Sequence, residues 1–452
     1  MDSDKELLEL CRYIVSRALE SGADEAEAQA KLNTELESAI ELAQISSVNQ
    51  HTGAQIAIRV LKGKKIGGAF TNIATKKAAK EAVNFAISAA NATTEDPDWV
   101  SLATPEEYAT LNGLWIDEVA KTKPDAIVKS TGELIAKTSG AEPGLVLIGG
   151  TTAVSYMFEA YANSNGVAHS EKGTVTVMVG IASAQTESGM TPMVFAYDIK
   201  RGLNLNLDNI VEKLGQQIRL CKKVVDGKTG KHTVVFHPQA YATLLDNTLI
   251  KSIRGDNVAR GKSKIGDKIG DMIASDHFTL SDDGLYPGGA NTSIADDEGA
   301  PRRTTQIIEK GILRSFLWDT YWANRMGVKS TGNAKRNLKQ GLVSIAPTNL
   351  IVGPGKREIE DIISEIKHGY YIQNVQGAHS ANPESGDFSV VGNPAFLIKN
   401  GKLVGAINGL MVSGNGFDML QNVIEIAKVP HYLQNWIGPE IIFKDIDIIA
   451  KD

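Results

Sequence analysis

Apolar residues near the start of the chain recur at intervals of three and four, the period of an amphipathic helix. The pattern runs from Leu7 to Ala18 and ends near Gly22. From residue 25 to residue 70 the apolar segments become shorter, and polar or glycine-rich turns separate them, which predicts an antiparallel sheet. Helical spacing returns over residues 78–87. It ends before Asp96-Pro97, because proline disfavours a continuing helix in the residues that precede it.

The middle of the chain alternates between the two periods. The spacing predicts a helix over residues 116–138, strands over 145–148, 153–162 and 174–183, and a helix over 210–225. The last two strands are separated by Asn163-Ser164-Asn165-Gly166, which is typical of a tight hairpin turn. Beyond residue 230 short apolar runs and glycine-punctuated turns dominate, with helices predicted near 238–250, 357–367 and 417–427.

These elements predict an α+β protein. We expect mixed or antiparallel sheets with flanking helices in the amino-terminal part, followed by a large strand-rich carboxy-terminal domain. A chain of 452 residues exceeds the usual size of a single hydrophobic core. The two breaks in the pattern predict three domains, at residues 1–100, 104–226 and 231–452.

Composition narrows the classes of function. The chain is 42% hydrophobic and 22% charged, with a net charge of −6, so no overall positive field attracts nucleic acid or an anionic membrane. Cys11 and Cys221 are too isolated for a disulfide framework or a cysteine-rich zinc site. With no secretory signal and no long apolar stretch, we expect a cytoplasmic protein that does not enter a membrane. Eight histidines remain for metal or acid/base chemistry.

The common enzymatic motifs are absent or incomplete. No histidine is followed by glutamate, so the His-Glu-x-x-His helix of many zinc proteases is missing. His232 and His237 are five residues apart on a predicted strand and should face opposite sides, which makes them poor joint ligands. The stretch from Gly255 to Ser263 resembles a phosphate-binding loop but has five residues between its glycines instead of four. It is interpreted as a solvated, basic loop.

Two acidic segments have competing interpretations. Residues 296–298, Asp-Asp-Glu, lack the ligand spacing of a helical calcium loop and are interpreted as an exposed acidic turn. Residues 377–389 concentrate a histidine, acids, an amide and hydroxyls in a predicted loop. Loops of this kind often carry functional sites, although the same residues could simply shape a hairpin turn.

The carboxy-terminal region resembles the TldD/PmbA family, a group once named for modulation of DNA gyrase. The resemblance rests on residues 281–289, 296–301, 308–313, 330–334, 347–350, 379–389 and 407–420. It extends more loosely to residues 22–27, 58–72 and 163–166, so that it covers nearly the whole chain. TldD-like members of this family resemble zinc metallopeptidases, with a His-Glu-x-x-x-His motif on the helix after the first carboxy-terminal strand and a later cysteine ligand.

This chain departs from that motif. Alignment on Leu244-Leu245 places Asp246, Asn247 and Lys251 at the motif positions, and no cysteine follows Cys221. A protonated lysine cannot bind zinc, so several ligands are replaced together. The resemblance is therefore to the PmbA/TldE-like branch. It implies a subunit with no metal or cofactor of its own, whose TldD-like partner holds the zinc.

The resulting hypothesis is a non-catalytic subunit of a TldD/TldE-type metalloprotease complex that binds unfolded or extended peptides. The candidate residues for the peptide channel or the interface are Asp283, His379, Asn382, Glu384 and Asp387. A homodimer remains possible when the partner is absent, and nucleic acid is not an expected partner.

Two alternatives stay open. One is an independent peptidase that binds a metal through carboxylates including Asp283, Asp296, Asp297, Glu298 and Asp387. The other is a DNA-associated regulator that uses the basic residues between 251 and 268.

Overall fold

The amino-terminal half is built on one seven-stranded sheet with helices packed on it. The structure is a computed structural model, and it describes residues 3–187, 189–339 and 341–450. The helices of this half are α1 (Asp4–Glu20), α2 (Lys76–Ala92), α3 (Asp117–Ala120), α4 (Pro124–Ser139) and α5 (Leu207–Cys221). The strands are β1 (Glu25–Glu41), β2 (Gln44–Lys62), β3 (Lys65–Thr71), β4 (Leu145–Asn163), β5 (Ala168–Thr186), β6 (Gly189–Met190) and β7 (Val194–Lys200). The strand order is β3-β2-β1-β4-β5-β6, and β7 also pairs with β5.

Several local predictions need correction in detail. The predicted strands over 145–148 and 153–162 are one strand, β4, because Gly149 and Gly150 form an irregularity in the ladder instead of a turn. Gly150 has φ +150°, and a Cβ atom there would lie 2.3 Å from the carbonyl oxygen of Val179. The predicted helix over 116–138 is two helices, and Pro124 begins the second, where its missing N–H has no cost. The hairpin turn after Asn163 joins β4 to β5 as predicted.

Strands from the first two predicted domains pair with each other. β1 and β4 form an antiparallel ladder from Glu27↔Asn163 to Glu41↔Gly149. Residues 1–100 and 104–226 therefore contribute to one sheet. The division of the chain into three domains stays a prediction.

The carboxy-terminal half contains three further sheets. Its helices are α6 (Pro238–Asn247), α7 (Leu249–Ser252), α8 (Gly255–Ala259), α9 (Thr320–Met326), α10 (Ile359–Glu365) and α11 (Gly416–Gln421). Its strands are β8 (Gly230–Phe236), β9 (Leu280–Asp283), β10 (Thr304–Glu309), β11 (Ile312–Leu313), β12 (Ala334–Asn337), β13 (Leu342–Ile345), β14 (Leu350–Val352), β15 (His368–Ile372), β16 (Val375–Gln376), β17 (Asp387–Gly392), β18 (Ala395–Lys399), β19 (Lys402–Ala406), β20 (Met411–Asn415), β21 (Val423–Ile426), β22 (His431–Tyr432), β23 (Trp436–Gly438) and β24 (Ile441–Ile449).

The largest of these sheets has nine strands. Its order is β16-β17-β20-β24-β8-β15-β18-β19, and β21 pairs with β24. A six-stranded sheet has the order β11-β10-β9-β14-β23-β22, and β12 pairs with β13 alone. The mixture of antiparallel ladders with the parallel pairs β8–β15 and β14–β23 confirms the predicted α+β class.

The predicted helix over 417–427 is shorter than expected. α11 ends at Gln421, and the next residues form β21, which pairs with β24. Val423 and Ile424 are β-branched and suit a strand, so the helical period was misleading here. Among the described residues, no helix is long and apolar enough to cross a membrane.

The two halves share an apolar interface. One core cluster combines Leu145 and Leu214 of the amino-terminal half with Tyr371, Phe396 and Ile442 of the nine-stranded sheet. Each of these side chains is at least nine-tenths buried. Because non-polar area removed from water is the main stabilising contribution to packing, this shared core keeps the halves together.

Candidate functional site

A polar cleft of about 1120 Å³ lies between the amino-terminal sheet and the carboxy-terminal half. One wall comes from β1, β2 and β4, and the other from the loops that precede β10 and β14. Charged and amide side chains are prominent in the lining: Lys31, Asn33, Gln55, Asn72, Glu159, Asn291, Asp297, Arg302, Lys335, Lys339, Gln434 and Asn435. Such a surface offers many hydrogen-bonding groups to a polar ligand.

A buried charge cluster forms the floor of the cleft. The ammonium of Lys31 lies 2.9 Å from an oxygen of Asp297 and 3.0 Å from an oxygen of Glu159. The amide of Gln29 donates to both carboxylates at 2.7 Å. Burial alone would raise the pKa of Asp297, but Lys31 and Lys335 hold it well below its usual range. Asp297 is therefore ionised at neutral pH, and its contacts with Lys31 and Gln29 join β1 to the loop before β10.

A second group of buried charges lies beside the first. Glu27 accepts hydrogen bonds from Arg336 and from the Tyr161 hydroxyl at 2.5 Å, and it forms an ion pair with Arg59 at 2.7 Å. Arg59 also reaches Glu298 at 2.8 Å. Burial would raise the pKa of Glu27, but Arg336 and Arg59 lower it below its usual range. Since each partner needs the others to offset its desolvation, the group is sensitive to the loss of any member.

The prediction of an exposed acidic turn at residues 296–298 is wrong. Asp296, Asp297 and Glu298 are 2%, 3% and 1% exposed. Asp296 accepts backbone N–H groups at 2.9 Å from Glu298, Ala300 and Ala334, which folds the turn onto itself. The turn is pressed inward, and a Cβ atom at Gly299 would lie 2.6 Å from the Tyr161 ring. The sequence showed three consecutive acids but not their buried basic partners.

The basic segment before residue 268 is also more structured than predicted. It contains α7 and α8 instead of a solvated loop. Arg254 and Arg260 bond to Asp256 at 3.1 and 3.4 Å, and Arg260 stacks over the Trp322 ring at 4.7 Å. These two guanidinium groups are thus engaged within the chain, which weakens the case for a nucleic-acid surface.

The helix that corresponds to the zinc motif ends beside the cleft. Asp246 accepts a hydrogen bond from the indole of Trp436 at 2.9 Å, next to the cleft residue Asn435. Burial raises the pKa of Asp246, although the hydrogen bond from Trp436 opposes this. Asn247 donates to the carbonyl of its own helix at Thr243. Lys251 is exposed. The three side chains therefore point to different neighbours and do not converge on a common point.

The predicted loop residues lie on an exposed segment between β16 and β17. His379, Asn382, Glu384 and Asp387 are all exposed. The Asn382 side chain accepts the backbone N–H of Glu384 at 2.9 Å, and Asp387 accepts from the side chain of Asn415 at 2.8 Å. This hydrogen bond lowers the pKa of Asp387. These contacts hold the loop in its conformation. They agree with the interpretation of these residues as a structural turn, and a functional role for the exposed side chains stays a prediction.

The loop nevertheless contacts the segment that follows the motif helix. The carbonyl of Ser385 accepts from Lys264 at 3.0 Å, and the carbonyl of Pro383 accepts from Ser252 at 3.4 Å. Asp283 is separate from this loop, because it ends β9 in the six-stranded sheet. Its carboxylate accepts from Thr304 at 2.9 Å and from the backbone N–H of Leu285. The structure therefore brings four of the five candidates into one segment and leaves Asp283 outside it.

Sequence reasoning missed one cluster of metal-binding residue types. A ring nitrogen of His237, one of His431 and a carboxylate oxygen of Glu440 all lie within 4.8 Å of one another. They come from the residue after β8, from β22 and from the residue before β24. His232 instead packs against His368 and Tyr370. The only signal in the sequence was the position of His237 directly after an apolar strand, because its partners are nearly two hundred residues away.

Comparison with known proteins places the chain in the class of metallopeptidase-like proteins. Residues 229–450 match the family model described as the PmbA/TldA metallopeptidase C-terminal domain, and residues 33–90 match domain 1 of the same family. The structure matches TldE from Thermococcus kodakarensis with a TM-score of 0.93 and 32% identity. That match covers 98% of this chain and 100% of the other. The chain belongs to the PmbA/TldD family.

More distant relatives extend over most of the chain. An uncharacterized protein of Methanocaldococcus jannaschii is 28% identical over 391 residues, which is 86% of this chain and 88% of the relative. A metalloprotease TldD homolog of Haemophilus influenzae is 23% identical over 392 residues, covering 83% and 80%. The resemblance inferred from the sequence is thus confirmed at the level of the family.

Proposed function

We propose that this chain is a subunit of a TldD/TldE-type metalloprotease complex and does not itself cleave peptides. The carrying observation is the divergence of Asp246, Asn247 and Lys251 at the position of the family's zinc motif. A catalytic zinc needs three protein ligands around one point and an open fourth position. In the proposed complex the zinc and the activated water belong to a TldD-like partner.

The polar cleft is the proposed place for an extended peptide. Peptide groups need both donors and acceptors, and the lining amides Asn33, Asn72, Asn291 and Asn435 provide both. The cleft lies beside the end of the motif helix, through the contact of Asp246 with Trp436. A peptide held here would therefore extend past the position that the family uses for zinc.

Lysines at the edge of the cleft give it a preference for negatively charged ligands. Lys335 lies on β12 and Lys339 lies in the turn that follows it; both are exposed and line the cleft. Lys335 lies 3.7 Å from Asp297, and Lys31 is shared between Asp297 and Glu159. Two carboxylates line the cleft against four basic side chains, Lys31, Arg302, Lys335 and Lys339. The rim therefore has a positive surplus, which favours peptides with acidic side chains or a free carboxylate.

The test is to purify the tagged chain from its native cell and identify what accompanies it. We expect a homologue that contains His-Glu-x-x-x-His, and peptide hydrolysis by the pair that a chelator abolishes. The isolated chain should not hydrolyse the same disordered peptide. Chelator-sensitive hydrolysis by the chain alone, or isolation of the chain only as a homodimer with full activity, would contradict the proposal.

The role of the cleft is tested within the complex by Lys335→Glu combined with Lys339→Glu. The double variant should raise the KM for an acidic peptide several-fold and leave kcat nearly unchanged, because the rim binds the substrate but does not touch the reacting atoms. Lys80→Glu is the matched control, since Lys80 is exposed on α2 and does not line the cleft. Equal effects of the two charge reversals would argue against peptide binding at this cleft.

A further inference from the structure

We propose that His237, His431 and Glu440 form a binding site for one zinc-class divalent ion, separate from the family's motif position. Two imidazole nitrogens and one carboxylate oxygen form one of the ligand sets that zinc uses where a fourth position stays open. The three ligand atoms lie within 4.8 Å of one another. No other group of three or more such side chains is this close among the described residues.

The ligands are held by regular structure. β8 and β15 are parallel neighbours that end together at Phe236 and Ile372, and His237 is the next residue after β8. Its backbone N–H donates to the carbonyl of Ile372 at 3.0 Å. The carboxyl ends of adjacent parallel strands are a common location for ligand sites. His431 is paired with Gly438 in the ladder between β22 and β23.

The distances are close to those that zinc requires. Zinc–ligand bonds of about 2.0–2.1 Å place the ligand atoms of a tetrahedral site about 3.3 Å apart. Nε2 of His431 already lies 3.0 Å from Oε1 of Glu440. The largest separation within the group is at most 4.8 Å, so it needs to shorten by no more than about 1.5 Å. Side-chain rotation of the half-buried His431 can supply a movement of this size.

A supporting hydrogen bond orients the carboxylate. The hydroxyl of Tyr371 donates to Oε1 of Glu440 at 3.1 Å. Ligating carboxylates usually have such an outer partner, which fixes their orientation. Glu440 and His237 are 4% and 8% exposed, so the packing around them leaves their side chains little freedom to move away from each other.

Two existing contacts must be given up when the ion binds. The hydrogen bond between Nε2 of His431 and Oε1 of Glu440 is one of them, because both atoms become ligands. Nδ1 of His237 accepts the backbone N–H of Gln239 at 3.2 Å, so the proton of the neutral ring is on Nε2. Binding an ion at Nε2 moves that proton to Nδ1 and breaks this hydrogen bond. The loss of one hydrogen bond is small beside the binding free energy of structural zinc, and metal–ligand bonds replace the contact between His431 and Glu440. The lost contacts therefore do not prevent binding.

The open position of the ion would face a second cavity of about 460 Å³. α5 provides its opposite wall with Gln216 and Gln217, and the segment that begins α10 adds Glu358 and Glu360. Lys213 also lines this cavity and opposes a cation, and Glu358 is already paired with Lys428 at 2.7 Å. Glu360 and Glu440 remain to offset the charge of Lys213. A water molecule or a small anionic group could complete the coordination there.

The experiment uses the full-length chain after removal of metal with a chelator. Co²⁺ is titrated while its visible absorption is recorded, and Zn²⁺ affinity is measured in competition with a chromophoric chelator. We expect one ion per chain and the intense absorption of four-coordinate cobalt. His431→Gln and Glu440→Gln should each weaken zinc binding by at least about 100-fold, and Tyr371→Phe by about 10-fold.

His379→Gln is the matched control, because His379 is exposed and lies outside the cluster. It should bind zinc as the unchanged chain does, and circular dichroism should show that every variant is folded. Equal zinc affinity in the unchanged chain and in His431→Gln would overturn the proposal, as would the absence of tight binding. These readouts do not depend on peptide hydrolysis. A chain that binds zinc here but does not cleave peptides satisfies both proposals, and each can fail without the other.

Discussion

Substitution of Arg336 is the strongest single test of how much the buried charges between the two halves contribute to stability. Its side chain is 2% exposed, and its partner Glu27 is 1% exposed. Arg336→Met replaces the guanidinium with an apolar side chain of similar length, leaving Glu27 with only Arg59 and Tyr161. Breaking a buried ion pair on one side costs about 3–5 kcal/mol. Glu27 keeps two partners in this variant. We therefore expect the free energy of unfolding to fall by about 3 kcal/mol, the lower end of that range.

The assay is urea unfolding at neutral pH, followed by both tryptophan fluorescence and circular dichroism. Coincident transitions are required before a free energy of unfolding is calculated, because a chain of this size can unfold in stages. The double variant Glu27→Gln with Arg336→Met should recover part of the loss, since the uncompensated carboxylate is gone. A loss below about 1 kcal/mol in Arg336→Met would refute the reasoning, because it would show that the pair contributes no more than a surface contact.

An exposed ion pair provides the control for that experiment. Arg357 bonds to Glu365 at 2.6 Å, and their side chains are 38% and 68% exposed. Arg357→Met makes the same chemical change, but water screens the charge that remains. Its effect on the unfolding transition should be much smaller than that of Arg336→Met.

Three further outcomes follow from single side chains. Burial lowers the pKa of His169 to about 4, so the unfolded chain takes up the proton first and stability falls as the pH drops from about 6.5 towards 4. Between pH 7.5 and pH 5 this amounts to about 2 kcal/mol, and thermal unfolding of His169→Phe should lack that part of the pH dependence. Gly255→Ala should lower the melting temperature by several degrees, because its Cβ would lie 2.0 Å from the Trp318 ring. Trp436→Phe removes the hydrogen bond to the half-buried Asp246 and should cost about 1–3 kcal/mol in chemical unfolding, whereas an unchanged midpoint would show that water replaces the indole.

The sequence predicted local elements better than it predicted burial. α1 follows from the three-and-four spacing of Leu7 to Ala18, and the turn after Asn163 follows from its asparagine and glycine residues. Both depend on neighbours in sequence. The burial of Asp297 depends on Lys31, which is more than 260 residues away, so no local pattern could show that this carboxylate has a partner.

The same limit applies to the candidate sites. The replaced motif at Asp246, Asn247 and Lys251 could be located because a family resemblance supplied the alignment. The cluster of His237 with His431 could not, because it forms only when β8 and β22, which belong to different sheets, come together in the fold. Spacing along the chain predicts a metal site when the ligands share one helix or loop, and here each ligand comes from a different segment.

The ladder between β1 and β4 has a practical consequence for dividing the chain. A fragment that begins at residue 104 would leave the edge of β4 without its neighbour from Gly149 to Asn163. That edge is a long row of unpaired backbone donors and acceptors, which is a template for aggregation. The complementary fragment, residues 1–100, carries the matching edge of β1. If the two fragments are coexpressed, they can reassemble through the pairing of β1 with β4. Either fragment alone is a poor candidate for a soluble truncation.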